Sequence, residues 1–255
     1  MALEFLTIPC LADNYAFLLH STDTGETALI DVPEAAPISA ALKERGWTLT
    51  EVWLTHHHWD HVDGLADLAE AADATVTGAA ADAERLPPLN RSVSDGDTFD
   101  FAGHSVGVMD VSGHTVGHVA FYVPAADAVF TGDSLMAMGC GRLFEGTPHQ
   151  MWASLSKLAA LPADTLVCSG HEYTLSNAKF AVTIDTDNPA LKERVAKIEA
   201  ARAAGQATVP SLMSDELATN PFLRAIDPGV KAFLGMPDAS DADAFAEVRR
   251  RKDSF

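Results

Sequence analysis

Cysteine is scarce in this chain of 255 residues, and its pattern excludes two kinds of stabilising site. The three cysteines, Cys10, Cys140 and Cys168, lie far apart and form no C-x-x-C pair. An odd number without such spacing favours neither a disulfide framework nor a cysteine-based zinc site. We therefore expect three reduced thiols with a structural role.

Long apolar runs are also lacking. No stretch reaches the roughly 20 residues that a membrane span needs. The first twenty residues carry neither a basic leader nor a small-residue cleavage site. We therefore expect a cytoplasmic protein that does not enter a membrane, and its hydrophobic content of 47% is enough for a full-sized core.

Basic residues are few, with 17 Lys and Arg against 36 Asp and Glu and a formal charge of −19. A surface of this charge would repel a phosphate backbone, so nucleic acid is not the expected partner. Four basic residues nevertheless stand together near the end of the chain, at Arg249, Arg250, Arg251 and Lys252. A solvated helix end, where the dipole favours cations, is one explanation for that cluster.

The first two-thirds of the chain alternates short β-rich segments with helices. Periodicity predicts strands at 5–8, 16–20, 27–31, 51–55, 75–77, 98–101, 104–110, 119–123, 128–131 and 165–168. It predicts helices at 38–45, where Gly46 ends the helix, at 62–72 and at 152–161. Mixed sheets flanked by helices indicate an α/β sandwich.

After His171 the pattern becomes helical. Residues 174–184, 189–204 and 241–251 have helical spacing, and the expected loops are 205–210 and 227–229. The last third therefore reads as a helical appendage.

The segment His56-His57-His58-Trp59-Asp60-His61 directly follows a predicted strand. Imidazoles and carboxylates are ligands for zinc, iron and manganese. Alternate side chains of an extended segment share a side, so His56 and His58 can chelate one ion while His57 points away. Asp60 and His61, one turn later, are placed to face a second ion.

Two coordination shells need further donors, and three more strand ends supply them. His114, Asp133 and His171 each follow a predicted strand and a glycine. The glycine permits the sharp turn that aims the next side chain at a common centre. The remaining histidines are expected to be structural, and among them His118, four residues after His114, is the best candidate for an outer hydrogen-bond partner of a ligand imidazole.

In order and type these donors resemble the metallo-β-lactamase superfamily, whose H-x-H-x-D-H motif is followed by a single His, an Asp and a last His. The resemblance implies an αββα sandwich with two divalent ions, zinc first and iron or manganese as alternatives. It assigns His56, His58 and His114 to the first ion, and Asp60, His61 and His171 to the second. Asp133 would bridge the ions, and Asp60 and Asp133 are the expected catalytic residues.

Two such ions would share one water and lower its pKa toward about 7, giving a nucleophile for a carbonyl carbon. A thiolate would leave readily because its thiol has a pKa of about 8.5. This chemistry permits a thioester substrate without requiring one.

Five further stretches resemble the glyoxalase II (hydroxyacylglutathione hydrolase) family. They are 13–15, 139–147, 170–174, 220–222 and 249–253. The resemblance implies hydrolysis of S-(2-hydroxyacyl)glutathione, such as S-lactoylglutathione, to glutathione and a 2-hydroxy acid (D-lactate) in methylglyoxal detoxification. It also implies a catalytic domain at 1–172 and a helical substrate-binding domain at 173–255.

In that family a basic residue and aromatic residues hold the glutathione part, together with two cations near the C-terminus. Carried over, these positions are Arg142, Phe144, Tyr173, Arg249 and Lys252. Arg142 stands where lysine is frequent, and Phe144 stands where tyrosine is frequent. Phenylalanine cannot donate the phenolic hydrogen bond, whereas arginine keeps the charge. The cationic pair would offset the repulsion of an anionic substrate by the acidic chain. We expect a monomer, although the sequence leaves the oligomeric state open.

Other functions compete with this one. A lactonase, another thioesterase, a β-lactamase or a persulfide dioxygenase would share the fold. The dioxygenase needs a single iron, so the intact set of Asp60, His61 and His171 argues against it, and an exported β-lactamase would need a signal. The charge balance opposes a metal-dependent nuclease, and the seven-donor pattern opposes a non-catalytic metal-binding module.

Overall fold

The computed structural model describes residues 3–255, which cluster into two compact units. The first unit contains the residues up to Asp110 together with Val116–Gly132, and the second contains Val111–Thr115 and Asp133–Phe255. Each unit has its own strands and its own share of the predicted metal donors.

The first unit contains a six-stranded mixed sheet and four antiparallel strands of a second sheet. Strands β1 to β6 form the first sheet in sequence order and are Leu3–Cys10, Asn14–Ser21, Glu26–Ile30, Thr48–Trp53, Thr75–Ala79 and Arg91–Val93. The first three strands are antiparallel, and β3 to β6 are parallel. Strands β7 to β10 belong to the second sheet and are Thr98–Phe101, His104–Asp110, Val119–Val123 and Ala128–Gly132.

Aromatic side chains fill the space between these two sheets. Trp53 of β4 is fully buried, and its ring lies 5.3–5.5 Å from the rings of Phe99, Phe101 and Phe121 on the facing sheet. Phe130 of β10 in turn contacts Phe5 and Phe17 of the first sheet. Large rings bury more apolar area than other side chains, so this cluster is a main source of stability for the unit.

Helix α1 (Ala35–Arg45) covers the outer face of the first sheet. Its buried residues Ile38 and Leu42 belong to a cluster that includes Leu18, Leu29 and Val52 of the sheet. The helix ends at Gly46, which takes the left-handed conformation with φ 67°. The predicted helix end is confirmed, because only a residue without Cβ adopts this conformation without strain.

The second unit combines short strands with most of the helices. Its strands are β11 (Leu135–Met136), β12 (Gly139–Cys140), β13 (Leu166–Ser169) and β14 (Ser211–Leu212). After the short α2 (Trp59–Val62) of the first unit, helices α3 to α8 are Pro148–Ala159, Thr174–Ala181, Pro189–Ala203, Met213–Thr219, Pro228–Leu234 and Asp241–Asp253. Within residues 3–255 no helix combines the length and apolarity of a membrane span.

The prediction of an α-helix over 62–72 is wrong. Only α2 is α-helical there, and two 3₁₀ turns follow at Asp63–Asp67 and Ala69–Ala71. The backbone N–H of Gly64 donates to Val32 O at 2.9 Å instead of continuing an α-helical ladder. A Cβ on Gly64 would lie 2.7 Å from that same oxygen, so the close approach of two backbones has overridden the local pattern.

The loop predicted at 227–229 is also wrong, because α7 begins at Pro228. The Asp227 carboxylate caps this helix by accepting the N–H groups of Gly229 and Val230, and Pro228 occupies the first turn. An N-cap aspartate followed by proline is a helix-start signal as much as a turn signal.

Replacing Trp53 by alanine should lower the free energy of unfolding by about 3–5 kcal/mol, because it opens a cavity among the three facing rings. Urea unfolding followed by circular dichroism measures this. Trp59→Ala is the matched control, since its side chain is 65% exposed, and it should change stability by less than about 0.5 kcal/mol. Equal losses in the two variants would contradict the assigned core.

Candidate metal centre

The 56–61 segment begins just after β4 and carries four of the predicted donors. His56 and His61 are fully buried, and Nε2 of His56 lies 3.1 Å from Nδ1 of His58. His57 turns away, as the alternation predicted, and its Nδ1 lies 2.8 Å from Oδ2 of the buried Asp82. The histidines at 56 and 58 therefore converge as a chelating pair.

Asp31, which the sequence analysis missed, organises this segment. Its carboxylate accepts hydrogen bonds from the backbone N–H and the hydroxyl of Thr55, both at 2.8 Å, and lies 2.8 Å from Nδ1 of His61. Asp31 directly follows β3 and has φ 57°. The signal that indicated Asp133 was a strand followed by a glycine, which Asp31 lacks; only its acidic side chain at the end of a predicted strand could have indicated it.

These bonds fix which ring nitrogen of each histidine is available. A carboxylate can only accept, so Nδ1 of His61 carries the hydrogen and Nε2 keeps its lone pair. The Thr55 hydroxyl already donates to Asp31, so its oxygen accepts from Nδ1 of His56 at 3.0 Å. The lone pair of His56 is then on Nε2, the atom next to His58. Ligand histidines are held in this way, by an oxygen partner on the other nitrogen.

Asn14 orients Asp60. Its side-chain amide donates to the backbone oxygen of Asp60 at 3.0 Å and lies 3.2 Å from the carboxylate oxygen Oδ2. The 13–15 stretch was identified only by resemblance, and this contact gives one of its residues a physical role.

The second unit supplies the other three donors. Oδ2 of Asp133 lies 3.5 Å from Nε2 of His114 and 3.3 Å from Nε2 of His171. Nδ1 of His114 lies 2.8 Å from the backbone oxygen of Arg142, which can only accept, so Nε2 again keeps the lone pair. One carboxylate oxygen thus stands between two imidazole nitrogens, the arrangement that a bridging ligand requires.

The predicted donors and Asp31 form three groups, and within each group the ligand atoms lie within 4.8 Å of one another. They are His56, His58 and His114; Asp60, His61 and His171; and Asp31, His56 and His61. The first two groups contain the residues that the resemblance assigned to two ions. Nitrogen and oxygen donors of this kind suit divalent zinc, iron or manganese.

His118 supports a donor by stacking. Its buried ring lies 4.5 Å from the ring of His56 at an angle of 12°. Gly132, with φ 48°, packs against His118 and Thr55. A Cβ on Gly132 would lie 2.8 Å from Cε1 of His118 and 2.5 Å from the hydroxyl oxygen of Thr55. The glycine before Asp133 is therefore required both by the turn and by the space.

Two exposed aromatic rings lie against donors of the second unit. Phe144 is 61% exposed and its ring centroid is 5.3 Å from that of His114. Tyr173 is 39% exposed and stacks on His171 at 4.6 Å. These are positions from which a ring can contact a molecule held at the donors.

The three predicted cationic contacts differ in exposure. Arg142 is exposed, and Lys252 is half-buried with its ammonium 3.3 Å from the backbone oxygen of Ser176. Arg249 is buried and donates to the backbone oxygen of Cys140 at 3.1 Å while pairing with Asp253 at 2.8 Å. The substrate contact of Arg249 stays a prediction, and its observed contacts are structural.

The cysteines are free and buried, as expected. Burial raises the pKa of Cys10 to about 12 and that of Cys140 to about 11. Burial likewise raises the pKa of Cys168. All three are therefore neutral thiols at physiological pH, and the thiolate form that binds metals is not populated.

Comparison with known proteins defines the class. Residues 13–171 match the family model of the metallo-β-lactamase superfamily. The structure is similar to that of ETHE1 from Myxococcus xanthus, with a TM-score of 0.68 and 24% identity over 98% of this chain and 90% of that one. It is also similar to TTHA1623 in a di-iron-bound form, with a TM-score of 0.56 and 31% identity over 65% of this chain and 90% of that one. The chain has the metallo-β-lactamase fold and binds divalent metal ions.

The family within that class follows from the rest of the chain. Residues 172–255 match the model for the hydroxyacylglutathione hydrolase C-terminus. A hydroxyacylglutathione hydrolase of Ruegeria pomeroyi is 67% identical over the full length of both chains. The chain therefore belongs to the hydroxyacylglutathione hydrolase (glyoxalase II) family of metal-dependent hydrolases.

Replacing Asp31 by asparagine should weaken metal binding by about 10–100-fold, because an amide NH2 in place of Oδ2 cannot accept from His61 or from the Thr55 hydroxyl, which in turn holds His56. Competition with a chromophoric chelator measures the affinity. Asp100→Asn removes the same charge from an exposed position of β7, where the carboxylate accepts the N–H of Gly103 in a local bond. Metal affinity equal in the two variants would show that Asp31 does not act through the donors.

Proposed function

We propose that the chain hydrolyses the thioester of S-(2-hydroxyacyl)glutathione, S-lactoylglutathione in particular, to glutathione and D-lactate in methylglyoxal detoxification. The observation that carries the proposal is the combination of a full donor set with a C-terminal third that matches the hydroxyacylglutathione hydrolase model. The donors alone would suit several hydrolases of this fold. The C-terminal match favours the glutathione thioester among them.

We assign two divalent ions to the donors, zinc first and iron or manganese as alternatives. His56, His58 and His114 would hold one ion, Asp60, His61 and His171 the other, and Asp133 both. Ions held there would lower the pKa of a bound water toward about 7 and would stabilise negative charge on the carbonyl oxygen under attack. The buried histidines with fixed donor nitrogens fit such ions, because an imidazole without a hydrogen on Nε2 is ready to bind.

Hydrogen bonds from neighbouring residues fix the orientation of the donor side chains. Asn14 keeps the Asp60 carboxylate in one orientation, and the backbone oxygen of Arg142 does the same for His114. Asp133 lies between His114 and His171, so both imidazoles meet one carboxylate oxygen. The donors are therefore organised before substrate arrives, which lowers the reorganisation needed during the reaction.

A thioester suits this site for a reason of leaving-group chemistry. Departure of a thiolate needs little help from a general acid, because its conjugate acid has a pKa of about 8.5. The neutral buried cysteines are not required as nucleophiles. We assign Phe144 and Tyr173 to the substrate, since both rings are exposed beside donor histidines.

The glutathione carboxylates are assigned to Arg142 and Lys252. Both are cations of the second unit, and the overall charge of −19 makes local cations necessary for an anionic ligand. We keep 1–172 as the proposed catalytic domain and 173–255 as the proposed substrate-binding domain. We also place the enzyme in the cytoplasm, where free thiols such as the three found here persist.

Asp133→Ala and His58→Ala should each lower kcat/KM for S-lactoylglutathione by at least about a thousandfold, because the metals contribute several kcal/mol to the transition state. Thiol release measured with a disulfide reagent follows the reaction. His149→Ala is the control, since that side chain is 66% exposed and pairs only weakly with Asp243 at 3.5 Å. Comparable wild-type turnover of a plain ester or a β-lactam, with none of the thioester, would overturn the proposed substrate.

Lys252→Ala should raise KM for S-lactoylglutathione about tenfold and leave kcat nearly unchanged, because one charge-assisted contact of about 1.5 kcal/mol to a remote part of the substrate is lost. Steady-state kinetics separate the two constants. Lys197→Ala, on an exposed face of α5, should change neither constant.

Lys252 also gives a pH dependence. Burial, and then the charge of Arg249, lowers the pKa of Lys252 below its ordinary value of 10.5. A lysine loses its charge as pH rises through its pKa, so KM should increase at an alkaline pH below 10.5. Lys252→Arg should remove that increase, because a guanidinium stays charged. An unchanged alkaline profile in Lys252→Arg would refute the assignment.

A further inference from the structure

The hairpin formed by β11 and β12 lies between two functional positions. It begins two residues after Asp133 and ends just before Gly141 and Arg142. Leu135 pairs with Cys140, and the N–H of Gly141 donates to Ser134 O at 3.0 Å. The geometry of this hairpin therefore sets the direction in which the chain leaves Asp133.

Two asparagines of the C-terminal helical segment, residues 173–255, donate hydrogen bonds to carbonyl groups of this hairpin. Nδ2 of Asn220 lies 3.2 Å from Met136 O and 2.9 Å from Gly139 O. Nδ2 of Asn177 lies 3.1 Å from Ala137 O. Both asparagines are buried, so water does not compete for these bonds.

A carboxylate and a guanidinium complete the set. Oε2 of Glu216 accepts the N–H of Met138 at 2.9 Å, and Arg249 donates to Cys140 O at 3.1 Å. Each residue from 136 to 140 therefore has a backbone group bonded by a buried side chain from 177–249. Met138 has φ 61°, a conformation that its side chain disfavours and that these bonds hold in place.

The polar groups that hold the hairpin also have hydrogen-bond partners among themselves. Glu216 is fully buried, pairs with Arg194 and accepts from the Ser211 hydroxyl at 2.7 Å. It also lies 2.9 Å from the amide nitrogen of Asn220, whose two hydrogens are shared among Glu216, Met136 O and Gly139 O. The oxygen Oδ1 of Asn220 accepts the N–H of Phe222 at 3.0 Å, which fixes the direction of its amide. A buried carboxylate is tolerated only when it is paired and bonded in this way, so the arrangement is specific.

The hairpin is also closely packed by its neighbours. A Cβ on Gly139 would collide with the amide of Asn177, and a Cβ on Gly141 would collide with the backbone oxygen of Asp133. The hairpin therefore packs closely against Asn177 and against the backbone of Asp133.

We propose that the helical segment is part of the metal-binding apparatus, and that Asn177, Glu216 and Asn220 are positioning residues for Asp133. They act through the hairpin, which fixes the carboxylate between His114 and His171. This inference deepens the proposed function, since it rests on Asp133 as a metal ligand. It assigns to the helical segment a role beyond holding the glutathione part.

The test uses the full-length protein loaded with zinc or cobalt. Asn220→Ala removes the bonds to Met136 O and Gly139 O, and we expect loss of metal to a chelator to become about 10–100-fold faster, the usual range for an outer partner of a ligand. The visible spectrum of the cobalt form should change, and kcat should fall by about the same factor with KM within about threefold of the wild type.

Asn188→Ala is the matched control. Its amide donates to Asp185 and Ala218 O, both at 2.8 Å, and it caps α5 without contacting the hairpin. It should lower thermal stability but leave metal loss and the cobalt spectrum as in the wild type. Equal metal loss in the two variants, or a change in KM alone, would overturn the proposal.

Asn177→Ala is the second variant, to be used if Asn220→Ala does not fold. It removes one hydrogen bond to the hairpin, the bond to Ala137 O. Faster metal loss in that variant supports the proposal, and wild-type metal loss overturns it. The metal readouts do not depend on the substrate. A wild-type protein that binds metal but does not cleave the thioester would defeat the proposed function and leave this test in force.

Discussion

A buried imidazole is a reliable metal ligand only when its other ring nitrogen already has an oxygen partner, and this constraint governs the surroundings of the donors. His61 depends on Asp31, His56 on the Thr55 hydroxyl, and His114 on the backbone oxygen of Arg142. Without these partners each ring could present either nitrogen, and a buried N–H would lack an acceptor. The fold must therefore place an oxygen acceptor beside each donor histidine as well as the histidine itself.

Asp31 shows how few groups satisfy that need. One carboxylate fixes the backbone of Thr55, its hydroxyl and His61, and through the hydroxyl it also fixes His56. Both ends of the 56–61 segment are thereby tied to the end of β3. A buried carboxylate is stable with so many donors around it, whereas a neutral side chain would leave several of them unsatisfied.

The sequence predicted features that depend on local spacing. Strands 98–101, 104–110 and 119–123 match the structure residue for residue. The seven donors were predicted from their order and their positions at strand ends. Features set by distant partners were missed. Glu216 bonds Met138, 78 residues away, and nothing near Glu216 distinguishes it from a solvated helical carboxylate. The 3₁₀ turns after α2 likewise depend on Val32, which no local pattern reveals.

The basic cluster at 249–252 carries less free charge than its composition suggests. Arg250 and Arg251 both bond Glu247, and these bonds lower the pKa of Glu247 to about 2. Arg249 pairs with Asp253. The surplus charge of the cluster therefore rests mainly on Lys252, whose ammonium lies against the rings of Phe180 and Phe255. An anionic substrate would consequently be drawn by one or two placed cations rather than by a broad positive field, and binding should depend on salt less steeply than the four basic residues imply.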